Sequence, residues 1–348
     1  METLLKIKKK LGIFIWIILL SPTVFANHQL VLEGRLDYVS TDNDTTKTGN
    51  PNTTSFTIPY FFTAIKGTAN DKFDYFIKLN FSKVHASKNN TDNTTDFLQA
   101  VRIDHKLNKN LTFQLGKQFT GVGGFENDYS ASSVYEYSLT SDGPVSFPVY
   151  ETGISAHWTG IKDQTLILTL LNADKATTGG GSNSQRNISL GLLWYGNLFD
   201  KMLSTNFSYT YKPTSRTNGA TDTYLSLGSR FTLGKVYFEI DYLDFETEKS
   251  SSGNTDETAT SLVGKINFNF MEKHNTFIKY ADSEYKLAGT KDYEQNLLVL
   301  AYEYEVIKDF IYSASYTSKD ISPVAGSSTT ASTINSIRFA IAYEFQAL

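Results

Sequence analysis

Polar and apolar residues alternate with a period of two in many short segments of this chain. In residues 29–40, a strand would place leucine and tyrosine side chains on one face and charged side chains on the other. The apolar face carries Leu30, Leu32, Leu36 and Tyr38, and the charged face carries Glu33, Arg35 and Asp37. Residues 73–84, 235–246 and 333–345 repeat the pattern. Such alternation predicts β-strands that face water on one side and an apolar medium on the other.

Sixteen segments of this kind follow one another along the chain. The predicted strands are residues 29–40, 55–67, 73–84, 96–107, 111–119, 149–159, 164–172, 186–196, 201–212, 221–232, 235–246, 258–270, 276–285, 293–304, 310–319 and 333–345. Their lengths, roughly 9 to 13 residues, are those that tilted strands need to cross a bilayer.

The gaps between these strands alternate in length. Long polar gaps follow the odd-numbered strands and fall at residues 41–54, 87–95, 120–148, 173–185, 213–220, 247–257, 286–292 and 320–332. The gaps after even-numbered strands are tight, as at 108–110 and 233–234. This parity predicts an all-β fold, a transmembrane antiparallel β-barrel of about 16 strands (14 to 18 are compatible), with long extracellular loops and short periplasmic turns. A secreted β-sandwich or β-helix is the alternative, but such folds have no reason to sort loops by parity.

The first 26 residues have the features of a cleavable signal peptide. Four lysines precede the apolar run 11–20, and Val24-Phe25-Ala26 forms a signal peptidase site before Asn27. An uncleaved anchor is the alternative, but about ten apolar residues are too few to span a bilayer as a helix. We therefore expect one barrel domain, residues 27–348, in the outer membrane of a Gram-negative cell.

Charge and cysteine content narrow the partners. The full chain carries a net charge of −4, and about −7 once the four lysines and one glutamate of the leader are removed. A mildly acidic chain argues against a nucleic-acid partner. The chain has no cysteine, which excludes a lipoprotein anchor and disulfide bonds.

The stretch 111–125 (LTFQLGKQFTGVGGF) carries a family resemblance. Its strand and glycine-rich bend resemble the fifth strand and following loop of Gram-negative general porins, the sixteen-stranded trimeric type. The resemblance implies a homotrimer in outer-membrane lipid and lipopolysaccharide, a water-filled channel for small hydrophilic solutes and ions, and an inward fold of the loop 120–148. One departure is that Phe345 is followed by Gln346, Ala347 and Leu348, whereas such porins usually end on an aromatic residue.

Charged residues predicted to face the lumen are the candidate site. The cations are Arg35, Lys78, Arg102 and Arg338; the acids of the long loop are Glu126, Asp128, Glu136 and Asp142. Facing each other, the two groups would set a transverse field across a constriction. Acidic neighbours on the same face, such as Asp37 and Asp104, would compensate part of the positive charge. With the net negative charge, we expect a weak preference for cations; scattered, solvated lumen charges are the alternative.

The inward-facing residues and the loops also allow functions other than a general diffusion channel. A sugar- or phosphate-selective channel would need an aromatic path or a basic ladder, and the inward aromatics are dispersed: Phe61, Phe76, Tyr195, Tyr224 and Tyr237. A structural or adhesive barrel would bind a partner through its loops. No protease, hydrolase or nucleotide-binding motif is present, and no histidine has a partner at a recognisable spacing. We expect no enzyme, cofactor or metal site.

Overall fold

The computed structural model describes residues 28–45, 52–83, 97–130, 133–142, 150–173, 187–213, 221–248 and 256–346. The predicted signal peptide and its cleavage site lie outside these ranges. The strands are β1 (His28–Thr45), β2 (Thr53–Asn70), β3 (Phe73–Asn80), β4 (Leu98–Asn108), β5 (Leu111–Phe119), β6 (Tyr150–Trp158), β7 (Gln164–Asn172), β8 (Ile188–Leu198), β9 (Leu203–Pro213), β10 (Thr221–Leu233), β11 (Val236–Glu248), β12 (Glu257–Met271), β13 (His274–Leu287), β14 (Thr290–Ile307), β15 (Phe310–Pro323) and β16 (Ser332–Gln346). Two short helices follow β5, α1 (Phe125–Asp128) and α2 (Leu139–Asp142), and a 3₁₀ turn, Phe81–Lys83, follows β3.

The sixteen strands form one closed antiparallel barrel. Each strand pairs with its neighbours in sequence, and β1 pairs with β16 from Val31–Gln346 to Thr45–Ser332. Closure leaves no strand edge with unpaired backbone groups, which an apolar medium would penalise. The predicted fold class and strand number are confirmed. Within the described residues, no helix is long and apolar enough to cross a membrane.

Side chains alternate between the inside and the outside of the barrel as the sequence predicts. On β1, Arg35 and Asp37 are 3% and 1% exposed, whereas Leu36 and Tyr38, which point outward, are 40% and 37% exposed. The outer surface is therefore apolar and the inner surface polar, the arrangement expected of a barrel in a bilayer.

One predicted inward residue, Phe61, points outward instead. In the pairing of β1 with β2, Arg35 lies opposite Tyr60 and Asp37 opposite Thr57, so Ile58 and Pro59 together face a single residue. Such a bulge shifts the alternation by one residue, and proline favours it because it cannot donate a ladder hydrogen bond. Phe62, not Phe61, is consequently the buried inward side chain, 4% exposed.

The long predicted gap 286–292 is a tight hairpin in the structure. β13 and β14 continue to a two-residue turn, Ala288-Gly289, with φ angles of 53° and 72°. Positive φ at both positions is the geometry of the turn that matches strand twist. A Tyr285–Tyr293 ring contact at 5.1 Å joins the two strands below the turn. The other long gaps follow odd-numbered strands as predicted, so this end of the barrel is called the loop end and the opposite one the turn end.

The hairpin tip gives a first testable prediction. Ala288 holds φ 53°, a conformation that glycine adopts without steric cost. Ala288→Gly should therefore raise the free energy of unfolding by about 0.5–1 kcal/mol. Heat or urea unfolding in detergent measures the change. Ala314→Gly, in the interior of β15, should instead lower it by a similar amount; equal losses in both variants would contradict the turn geometry.

Candidate functional site

Residues 120–148, here called the inner loop, lie between β5 and β6 and are described at 120–130 and 133–142. Their described hydrogen bonds and ion pairs reach inward-facing groups of β1 and of every strand from β9 to β16. The loop therefore runs inside the barrel against this wall. Its apolar side chains Val122, Tyr135 and Leu139 pack into a buried cluster with Tyr224 and Leu243 of the wall.

The first part of the inner loop, Gly123 and Gly124, here called its root, lies so close to the wall that its backbone hydrogen-bonds to β9. Gly123 donates its N–H to Ser208 Oγ at 2.6 Å, and Gly124 donates to the carbonyl oxygen of Asn206 at 3.3 Å. A Cβ added at Gly228 of β10 would lie 3.2 Å from the Cα of Gly124 and 2.5 Å from an oxygen of Asp241. Glycine is needed here because any side chain would push the loop off the wall.

Asp241 of β11 holds the start of α1. Its two carboxylate oxygens accept the N–H groups of Phe125 and Glu126, both at 2.9 Å. The first N–H groups of a helix have no partner within the helix, so a carboxylate at that end satisfies them. Asp241 is 2% exposed, so the two bonds are shielded from water.

Glu126 ties two parts of the loop to β13. It forms an ion pair with Lys279 and accepts hydrogen bonds from Ser138 and Ser141, each hydroxyl lying at 2.5 Å. Burial raises the pKa of the Glu126 carboxyl, but Lys279 and the serine donors outweigh it, and the pKa is held below its usual value. The buried Glu126 side chain is therefore a charged anchor.

The tip of the loop is held by a pair of arginines, here called the arginine latch. Arg35 Nη1 donates to the Val134 carbonyl oxygen at 2.7 Å, and Arg338 donates to the Tyr135 carbonyl oxygen. Asp37 lies between them, 2.8 Å from Arg35 Nε and 3.2 Å from Arg338 Nε. The predicted compensation of Arg35 by Asp37 is thus confirmed.

The remaining predicted residues are distributed around the wall. Lys78 lies 4.3 Å from the centre of the Phe62 ring, and Arg102 pairs with Asp104 at 3.1 Å, the second predicted compensation. Glu136 pairs with Lys319 of β15. Asp128 lies in α1 with an exposed side chain, and the side chain of Asp142 is outside the described residues.

The structure thus brings together only some of the charged residues that the sequence predicts at the constriction. Arg35 and Arg338 share the carboxylate of Asp37. Lys78 and Arg102 lie on β3 and β4 and are not part of this pair. The loop acids Glu126 and Glu136 pair with Lys279 and Lys319 instead of with the four predicted cations, because the loop lies against β9–β16. Sequence reasoning missed Lys279, Lys319 and Asp241; all three are inward-facing by alternation, which was the available signal.

Comparison with known families now decides what this barrel is. The family model for phosphate-selective porin O and P matches residues 31–316. The chain belongs to that porin family. A comparison with curated protein sequences gives no match.

Solved porin structures share the fold. The anion-selective porin from Comamonas acidovorans superposes with a TM-score of 0.66 at 9% identity, over 91% of this chain and 99% of that chain. The outer membrane channel DcaP of Acinetobacter baumannii gives 0.62 at 10% identity, over 92% and 96% of the two chains. OmpT of Vibrio cholerae gives 0.61 at 13%, over 91% and 97%. The porin resemblance of the sequence is confirmed, and the protein is an outer-membrane channel.

Proposed function

We propose that this porin is a passive diffusion channel for small hydrophilic solutes and ions, narrowed by the inner loop. The observation that supports it is the placement of the loop. Its described polar contacts reach β1 and β9–β16, and we infer that the opposite wall, β2 to β4, lines the open lumen. Fixed charges and cross-section at such a narrowing govern what passes.

Bilayer recording tests the proposal. Purified protein in a planar bilayer should give stepwise currents whose size rises roughly linearly with salt concentration. Detergent alone and heat-unfolded protein are the controls. A folded protein that gives no current at any salt concentration would refute the channel.

A preference for phosphate-like anions is the second candidate function. The supporting observation is the charge on the wall that lines the open lumen, where β2–β4 carry inward-facing Lys66, Lys78, Arg102 and Lys106 against Asp74 and Asp104. Lys106 pairs with Asp74 at 2.6 Å and Arg102 with Asp104. Lys66 and Lys78 belong to neither of these two ion pairs, so the wall of β2–β4 carries more positive than negative inward-facing side chains. A preference for anions agrees with the description of the phosphate-selective porin family and with the anion-selective Comamonas acidovorans porin that shares the fold.

The net charge of the chain predicts the opposite sign, a weak cation preference. Reversal potentials in asymmetric KCl separate the two, because local lumen charges and overall charge act differently on permeant ions. Lys78→Glu with Arg102→Glu should move the potential toward cation preference. An unchanged potential would show that this wall does not control selectivity.

Maturation and assembly complete the proposal. Removal of residues 1–26 would deliver the barrel to outer-membrane lipid and lipopolysaccharide, where a homotrimer is proposed; a trimer form is recorded for the Vibrio cholerae OmpT. Mass measurement of the protein extracted from outer membranes should give a chain that begins at Asn27 and a particle of three chains. A retained leader or a lone chain would each refute one part.

A further inference from the structure

Each of the seven turns at the turn end of the barrel contains one exposed lysine. These turns are two to five residues long, and none of them contains arginine. The seven lysines, here called the turn lysines, are Lys72, Lys109, Lys162, Lys201, Lys235, Lys273 and Lys308. Because the turns follow one another around one end of a closed barrel, the turn lysines form a ring.

An exposed apolar side chain accompanies the lysine at every turn. It lies within two positions of the lysine, in the turn itself or at the adjoining strand end. Phe199, in the turn between β8 and β9, is the most exposed of these side chains, at 74%. The seven apolar side chains are Phe73, Leu107, Ile161, Phe199, Leu233, Met271 and Ile307. Each turn thus presents an apolar group beside an ammonium group, the combination found in segments that lie in a membrane interface.

The acids of the turns offset only part of this positive charge. Five of the seven turns contain one acid each, which leaves the seven turns together with a net charge of +2. Asp163, Asp200 and Asp309 hold positive φ angles of 58°, 52° and 63°. Aspartate tolerates this conformation, so these three acids have a role in the backbone of the turn. Within the described residues, the only ion pair of a turn lysine joins Lys308 to Asp309 at 3.9 Å, and such an exposed pair contributes little.

Two of the turn lysines also connect neighbouring hairpins. Lys235 donates to the carbonyl oxygen of Phe270 at 3.3 Å, and Lys273 donates to that of Val306 at 2.9 Å. Both bonds hold one turn against the strand end of the next hairpin. The other five turn lysines form no side-chain bond of this kind within the part of the chain that the structure describes. Bracing of the hairpins therefore does not account for a lysine in every turn.

Two tryptophans indicate where the membrane surface lies relative to these turns. Trp158 ends β6 next to the turn that contains Lys162, and Trp194 of β8 donates its indole N–H to Gln164 Oε1 at 2.7 Å. Both rings lie on the outer face of the barrel, in one row with Leu166 of β7 between them. Tryptophan is enriched at the level of the lipid head groups. The turns beside these rings therefore lie at the level where an ammonium group reaches lipid phosphate.

We propose that the turn lysines bind the phosphate groups of anionic phospholipids, while the apolar side chains beside them enter the acyl boundary of the same leaflet. A lysine near a surface of anionic lipid is attracted to it, and each further lysine adds to the attraction. In the orientation that the loop parity predicts, this is the periplasmic leaflet. The inference goes beyond the proposed channel, because it assigns a partner to the turn end and not to the lumen.

Fluorescence of the two tryptophans tests the inference, because it reports which lipids surround two of the turns. Trp16 belongs to the predicted signal peptide, so the mature chain contains only Trp158 and Trp194. The mature protein is reconstituted in vesicles of equal parts phosphatidylcholine and phosphatidylglycerol, with one or the other lipid brominated in its acyl chains. Brominated phosphatidylglycerol should quench the fluorescence more strongly, by a relative affinity of roughly twofold or more. Raising the salt concentration to about 0.5 M should reduce this preference, because it screens the lysines.

Lys162→Gln with Lys201→Gln removes the lysines of the two turns nearest to the tryptophans, and it should bring the relative affinity close to one. The matched control is Lys286→Gln with Lys291→Gln, which makes the same change of charge at the loop end, where both lysines pair with Glu284. It should keep the wild-type preference. Equal quenching by the two lipids in the wild type, or a preference that the first variant retains, would overturn the inference. Absence of current in bilayers would instead refute the proposed channel and leave the lipid preference intact.

Discussion

Removing the arginine latch should raise the conductance of single channels and increase the noise of the open state. The variant combines Arg35→Met and Arg338→Met, which deletes both donors to the carbonyl oxygens of Val134 and Tyr135. Hydrogen bonds from charged donors contribute about 1.5–3 kcal/mol each, so the tip loses roughly 3–6 kcal/mol of anchoring. When the loop tip moves away from the wall, the open cross-section of the lumen changes. The single-channel current should fluctuate for that reason.

Asp37 must be neutralised in the same variant. Its side chain is 2% exposed, and an unpaired buried charge costs about 3–5 kcal/mol, which would destabilise the barrel for a reason unrelated to the loop. Asp37→Asn removes that penalty and keeps the shape of the side chain. The triple variant should therefore fold as a barrel with a loosened loop.

The control for this experiment is another lumen ion pair, Lys106 with Asp74, replaced by methionine and asparagine. This pair joins β4 to β3 at 2.6 Å, and its described contacts do not include the inner loop. Its loss should leave conductance and noise near wild type. Wild-type traces from a folded triple variant would show that the latch does not hold the loop in place.

The barrel could be predicted from the sequence because its signals are local. Alternation along each strand and the lengths of the gaps depend on neighbouring residues, and together they predict all sixteen strands. The exceptions are also local. Pro59 shifts the alternation of β2 so that Phe61 faces outward, and two residues of positive φ turn the gap 286–292 into a hairpin.

The contacts of the inner loop could not be predicted in this way. The mutual compensation of Arg35 and Asp37 is predictable, because alternation puts residues i and i+2 on one face. Glu126, by contrast, binds Lys279, 153 positions later, and several inward-facing cations would have suited it equally by charge. Which one it meets depends on the register of the strands and on the wall to which the loop docks. Neither is encoded in a short segment.

A second large effect is expected at the root of the loop. Gly228→Ala should displace the root, because the added Cβ would lie 2.5 Å from an Asp241 oxygen, 3.0 Å from the carbonyl oxygen of Asn206 and 3.2 Å from the Cα of Gly124. Two of these atoms belong to backbone, so relief requires that the loop and Asp241 move. Overpacking of this kind costs about 1–3 kcal/mol.

The same movement would break the hydrogen bonds between the Asp241 carboxylate and the start of α1. The carboxylate accepts the N–H groups of Phe125 and Glu126, and a shift of either partner leaves buried groups unsatisfied. Gly228→Ala should therefore lower the unfolding temperature and alter the single-channel conductance together. Thermal unfolding in detergent and bilayer recording measure the two effects on one preparation.

Gly264→Ala supplies the matched control, because it makes the same change in a strand where no atom lies within 4 Å of the added Cβ. A glycine within a strand is costly in conformational entropy, so this variant should be as stable as the wild type or slightly more so. Its conductance should not change, since Gly264 lies opposite the outward-facing Ile240. If Gly228→Ala behaves like Gly264→Ala in both measurements, close contact at Gly228 does not position the inner loop.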